Sequence, residues 1–95
     1  MGEHTYIRVR WLHDLPDEPV DLWSELDAER FETRKLEFFR NGAVGYASAN
    51  EAVGGAMLGA VSVPSLVEIA ADGQFQPEEI SRSEFEARWL ARRSG

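Results

Sequence analysis

The chain contains no cysteine. That absence excludes disulfides, a thiolate nucleophile and any zinc site built on cysteine, and it fits a reducing compartment. Long apolar runs are missing too, and nothing approaches the ~20 residues that a helix needs to cross a bilayer. The first residues, Met1 to Tyr6, lack the basic and then apolar layout of a secretory leader. A cytoplasmic location without membrane attachment is the expectation. No internal repeat, low-complexity tract or linker interrupts the 95 residues, so 1–95 reads as a single domain.

Basic residues are absent from one further place. Between Asp14 and Glu29 lie Asp14, Asp17, Glu18, Asp21, Glu25, Asp27 and Glu29, with no Lys or Arg among them. These seven acids equal the whole net charge of −7, and the rest of the chain is balanced at ten acidic and ten basic residues. A field so localised repels phosphate backbones and speeds encounter with a basic partner. Nucleic acid is therefore disfavoured as a ligand.

What is present reads as a small α+β domain. Tyr6 to His13 alternates, with Ile7, Val9 and Trp11 on one side and Tyr6, Arg8, Arg10 and Leu12 on the other, which marks a strand. Pro16 and Pro19, with acids between them, impose a rigid exposed loop. Val20 to Leu26 resumes period-two alternation: Val20, Leu22, Ser24 and Leu26 oppose Asp21, Trp23 and Glu25. Asp27-Ala28-Glu29 turns into a segment, Ala28 to Arg40, that also carries helix formers. The Asn41-Gly42 pair decides for strand, because it signals a type I′ hairpin turn with strands on both sides. Ala43 to Ala49 is the return strand.

Beyond it, Asn50 to Ala60 is glycine-rich and reads as a mobile loop. Pro64 suits the first turn of a short helix from Ser65 to Asp72, with Leu66, Ile69 and Ala70 buried. Gln74 to Glu79 reads as a linking loop. The last helix is announced by a capping box, Ser81 with Glu84, and by a staple of Ile80 on Phe85. Phe85 and Trp89 supply its docking face, and Arg88, Arg92 and Arg93 complement its dipole. The expected architecture is an antiparallel sheet of about four strands with two C-terminal helices packed on one face.

Several clusters carry chemistry worth weighing. His13-Asp14 near Asp17 and Glu18 brings imidazole and carboxylates together, as a general base or a metal site requires. Against this, adjacent strand residues point apart, and a second nitrogen ligand exists only if His4 folds nearby. Gly54, Gly55 and Gly59 match no phosphate-binding fingerprint, and Ser24, Thr33 and Ser48 lack a nucleophile elbow. Arg30, Arg34, Lys35 and Arg40, interleaved with Phe31, Phe38 and Phe39, resemble a surface for single-stranded nucleic acid. Pairing of these bases with Asp21, Glu25 and Asp27 across strands is the better reading. The acidic segment is either a solvated edge that blocks strand pairing or a recognition face. In the second case Trp23 is the aromatic anchor inside an acidic frame.

Tyr6-Ile7-Arg8-Val9-Arg10-Trp11-Leu12-His13-Asp14, Pro16-Asp17-Glu18-Pro19, Ser24-Glu25-Leu26-Asp27 and Arg34-Lys35-Leu36-Glu37 carry a resemblance to a small bacterial domain family of unknown function. It extends through Pro64-Ser65-Leu66 and Pro77-Glu78-Glu79-Ile80-Ser81. The resemblance implies a complete domain and brings no activity, cofactor or catalytic residue with it. In size and charge the chain is also similar to immunity proteins that neutralise toxins, barstar-like inhibitors among them. The leading expectation is a non-enzymatic module that binds a basic protein through Asp14, Asp17, Glu18, Asp21, Trp23, Glu25, Asp27 and Glu29. No catalytic, metal or cofactor residues are assigned. The alternatives are a small hydrolase or metal-dependent enzyme centred on His13, and a single-stranded nucleic-acid binder using the hairpin.

Overall fold

The structure is a computed structural model that describes residues 3–93. Among the described residues, six strands form one antiparallel sheet: β1 Thr5–Trp11, β2 Pro19–Leu26, β3 Glu32–Phe39, β4 Val44–Ser48, β5 Ala52–Val53 and β6 Phe75–Ile80. Their spatial order is β5-β4-β3-β2-β1-β6. Two short helices complete the fold, α1 Leu66–Ala70 and α2 Arg82–Leu90.

The α+β class agrees with the sequence, whereas the expectation of about four strands needs correction. The stretch that the sequence reads as a linking loop, Gln74 to Glu79, contains most of β6, although Pro77 cannot donate to a ladder. Yet Leu12 donates its N–H to the Gln74 carbonyl at the start of this pairing, and Val9 stands opposite Pro77. Hydrogen-bonded pairs alternate along antiparallel strands, so the proline nitrogen faces away from β1, where an edge strand needs no donor. β5 is only two residues long and lies within the glycine-rich stretch that the sequence reads as a mobile loop.

The central hairpin is present, but Phe38 stands opposite Val44, one residue out of the register that a two-residue Asn41-Gly42 turn would set, and the turn is not type I′. Gly42 alone adopts a positive φ, 93°, and its N–H bonds to the Phe39 carbonyl. Phe39 and Ala43 close a three-residue loop, in which a type I turn is followed by a left-handed glycine. Asn41 contributes its side chain instead, accepting from the Ala43 N–H at 2.9 Å.

The two helices pack on opposite faces of the sheet, which corrects the placement of both on one. Tyr6, Trp23, Leu36, Tyr46 and Ile80 point to one face and meet Phe85 and Trp89 of α2. The capping box of Ser81 and Glu84 is present, and Ile80 and Phe85 lie in the same cluster, as a hydrophobic staple requires. The other face carries Ile7, Val9 and Leu26, against which Leu66, Ile69, Val63 and Phe75 are only half-buried. α1 has its own capping box, Ser65 with Glu68, and no fully buried residue; Ala70, expected inside, is exposed. A chain that enters β6 from α1 and leaves it into α2 can change faces, because the strand's two ends are free to bend either way.

The glycine-rich stretch is pinned rather than loose. Ala56 is buried. Lys35 Nζ donates to the Met57 carbonyl, and Glu32 Oε1 accepts from the Gly59 N–H. Arg30 donates from Nε to the Val63 carbonyl and from a terminal nitrogen to that of Pro64. Residues 56–64 thus form a strap held across the α1 face by three charged side chains.

Candidate functional site

The acidic segment does not form one surface. Asp21 pairs with Arg8 at 2.7 Å and accepts from the Trp23 indole N–H at 3.0 Å. Trp23 is 5% exposed, with the Arg8 and Arg88 guanidinium groups over its ring and Phe38 at its edge. It is a core residue, so the reading of Trp23 as a surface anchor is corrected. Strand parity explains this, because Trp23 faces α2 along with Glu25.

Glu25, 7% exposed, is the hub of a polar network inside the α2 face. It accepts from Tyr6 Oη at 2.9 Å, from Thr33 Oγ1 at 2.8 Å and from two nitrogens of Arg34 at 2.6 and 2.8 Å. Arg34 continues to Glu86 of α2 and lies over the rings of Phe85 and Trp89. Burial by itself pushes the Glu25 carboxyl up, but the bonds from Arg34, Thr33 and Tyr6 outweigh it and hold it at about 2. Bonds to Glu25 and to Glu86 push the Arg34 guanidinium up. Thr33 reaches Glu25 because it is the extra residue of a bulge between Glu25–Arg34 and Leu26–Glu32.

Asp27 is used locally, its Oδ1 accepting from the Glu29 and Phe31 N–H groups to shape the β2–β3 turn. In that turn Arg30 adopts a positive φ of 68°. Asp14, Asp17, Glu18 and Glu29 remain exposed, and none makes a side-chain hydrogen bond or ion pair among the described residues. The first three lie before β2 and Glu29 beyond its far end. At 3.3 Å per residue the eight residues of β2 separate them by roughly 25 Å.

The loop carrying Asp14, Asp17 and Glu18 is built around His13. The Leu15 N–H can only donate, so Nδ1 at 2.9 Å is its acceptor. Nε2 therefore carries the hydrogen and donates to the Pro19 carbonyl at 2.7 Å. Both nitrogens of the neutral ring are thus engaged by backbone, with no lone pair left for base catalysis or a metal. The ring also packs edge-on against Trp11 at 4.3 Å, and Arg40 donates to the His13 carbonyl at 2.6 Å. Among the described residues, no group of three or more potential ligands could hold a metal ion. Leu12 and Leu15, about half exposed each, project beside the acids. Sequence reasoning passed over these two leucines. The signal was their position on either side of His13-Asp14, in a loop that the prolines keep from entering the core.

The basic residues of the hairpin are consumed internally. Arg34 serves Glu25 and Glu86, Lys35 lies near Glu32 and Glu37, and Arg30 and Arg40 bind carbonyls. The expected cross-strand pairing is realised between Arg34 and Glu25. Phe38 is covered by the Arg88 guanidinium, and Phe31 is exposed in the turn.

Residues 5–94 match the model of a family described as Domain of unknown function (DUF6881), so the chain belongs to that family. The match spans nearly the whole sequence, as the resemblance noted above does. No curated protein and no solved structure matches the chain. No helix among the described residues is long and apolar enough to cross a membrane.

Proposed function

We propose that this member of the family is a non-enzymatic binding module that engages a basic protein, in the manner of an immunity-type inhibitor. Its working surface is the loop from Leu12 to Glu18. One observation carries this reading: the loop is fixed from within by His13 and Arg40, yet the side chains of Asp14, Asp17, Glu18, Leu12 and Leu15 stay exposed and, among the described residues, none of the three acids makes a hydrogen bond or ion pair. A loop ordered before binding loses little entropy when a partner arrives. Two apolar side chains inside an acidic rim match the usual anatomy of a recognition patch, with the acids steering a cationic partner. Glu29, at the far end of β2, lies outside this surface.

The test is capture of host proteins by the purified domain, compared with three variants. Asp14→Lys/Asp17→Lys/Glu18→Lys is expected to lose the basic partner, and Glu29→Lys to retain it. Association should slow as salt rises, and Leu15→Ala should weaken it by about 1–2 kcal/mol. A partner retained equally by the triple variant would show that binding does not use this loop.

A further inference from the structure

Between the sheet and α1 lies a cavity of about 350 Å³. Its floor is Ile7, Val9, Leu22 and Phe75, and Val63 and Ile69 close it from the other side. The volume falls in the range of small-molecule sites, about 300–1,000 Å³, and its character, apolar walls with a few polar groups, is theirs as well. It persists because α1 is not drawn down by apolar burial. The strap that leads into the helix is held at its own height by Arg30 on the Val63 and Pro64 carbonyls.

The charges along the wall differ in how far they are satisfied. Lys35 is occupied by the Met57 carbonyl and lies within 4 Å of both Glu32 and Glu37. Glu32 accepts from Ser24 through Oε2 and from Gly59 through Oε1. On the α1 side, Glu68 uses Oε1 for its capping box and Asp72 uses Oδ1 for the Gln74 N–H. The second oxygen of each, Oε2 and Oδ2, has no hydrogen-bond partner among the described residues. Both residues line the cavity, and they are four apart in sequence. The wall therefore offers two exposed carboxylate oxygens without a hydrogen-bond partner beside an apolar chamber, with Arg30 near Glu68, while Lys35, the cation among the described lining residues, is already paired.

We infer that this cavity binds a small organic cation, a protonated amine on a compact apolar body such as one ring with a short arm. The body would lie on Val9, Leu22 and Phe75, and the ammonium group between Glu68 and Asp72. The site is separate from the loop of Leu12 to Glu18, and its occupancy does not depend on the function proposed for that loop.

The experiment is a titration with 2-phenylethylamine, followed through the methyl NMR signals of Ile7, Val9, Leu22 and Ile69. The neutral 2-phenylethanol and the anionic 3-phenylpropionate serve as comparisons. The amine is expected to shift these methyls saturably and to bind about fivefold more tightly than the alcohol, the size of an exposed ion pair. The propionate should bind weakest. Glu68→Gln/Asp72→Asn should erase the preference for the amine while leaving the alcohol unchanged, since glutamine still completes the capping box. Leu22→Phe, at a half-buried position that can accept volume, should weaken all three probes. Asp17→Lys should change none of these results. If no probe moves these methyls, or if amine and propionate bind equally in the wild-type protein, the inference fails.

Discussion

The two faces of the sheet are closed in different ways. On one, the nine residues of α2 insert Phe85, which is fully buried, and Trp89 among the aromatic side chains of the strands. The polar groups caught there are collected into one ionic network around Glu25 and Arg34. On the other, a five-residue helix with no buried side chain and a strap held by Arg30, Glu32 and Lys35 leave a chamber open. Apolar burial is roughly proportional to area removed from water, so the α2 face supplies most of the stability. The α1 side of the other face is held by point contacts, and the contrast predicts that it changes its packing without unfolding the domain.

The strongest test of this contrast is Phe85→Ala. Truncating a fully buried phenylalanine costs about 3–5 kcal/mol, a large part of what a domain of this size has to lose. Urea denaturation should show the loss directly, or a protein already unfolded in water. A loss under 1 kcal/mol would mean that the α2 face is not the main support.

The ionic network gives the next effect, and its sign follows from the direction of the shift. Glu25 is held at about 2 in the folded protein, below its ordinary value of 4.5. Its contribution is therefore fully present above pH 4.5 and is lost as pH falls through about 2. Two to three pH units correspond to about 3 kcal/mol, so stability should fall by that order across this window. Glu25→Gln should begin less stable at pH 7 and should lose less on acidification. Wild type and variant declining in parallel between pH 5 and 2 would show that Glu25 does not act through its charge.

How much of this contrast the sequence discloses depends on which interactions have a local signature. β1 and β2 are legible because their residues alternate between two faces, and β3 and β4 because Asn41-Gly42 marks a turn between them. α2 is legible because Ser81, Glu84, Ile80 and Phe85 fix its start within six residues. β6 is hidden because Pro77, Glu78 and Glu79 look like loop, and only the register on β1 shows the proline nitrogen turned outward. The faces of the helices are set by how the chain bends at the two ends of β6, which no short spacing encodes. At the candidate site, the run of acids from Asp14 to Glu29 is plain, but its meaning depends on strand parity and partners. Asp21 and Glu25 face arginines, Asp27 shapes a turn, and only the loop acids and Glu29 stay exposed. The strap is held by Arg30, Glu32 and Lys35 reaching backbone atoms 22 to 34 residues away, and such contacts leave no pattern to read.

On the α1 face, Ile69→Ala should cost only about 1 kcal/mol, since its side chain is half-exposed and borders space that is already empty. The same truncation chemistry would then differ several-fold between the two sides of one sheet. An Ile69→Ala loss near that of Phe85→Ala would mean that the chamber is closed in solution, with α1 packed down on the floor.

The smallest effect is the most discriminating, because the two helices begin with the same device. Ser65 with Glu68 and Ser81 with Glu84 form equivalent capping boxes, each serine Oγ accepting from the backbone N–H three residues on. Replacing a capping serine by alanine costs about 1 kcal/mol at most sites. At α2 that loss belongs to the global equilibrium, because the helix cannot detach without exposing Phe85 and Trp89. Ser81→Ala should therefore lower the stability measured by urea by about that amount. At α1 the helix can open while the sheet and α2 stay intact, so Ser65→Ala should leave the urea midpoint nearly unchanged. Instead it should speed hydrogen exchange at Ile69 and Ala71, whose N–H groups bond within that helix. Equal shifts of the urea midpoint for the two variants would mean that α1 unfolds only with the rest of the domain, and the division between a rigid and an adaptable face would not hold.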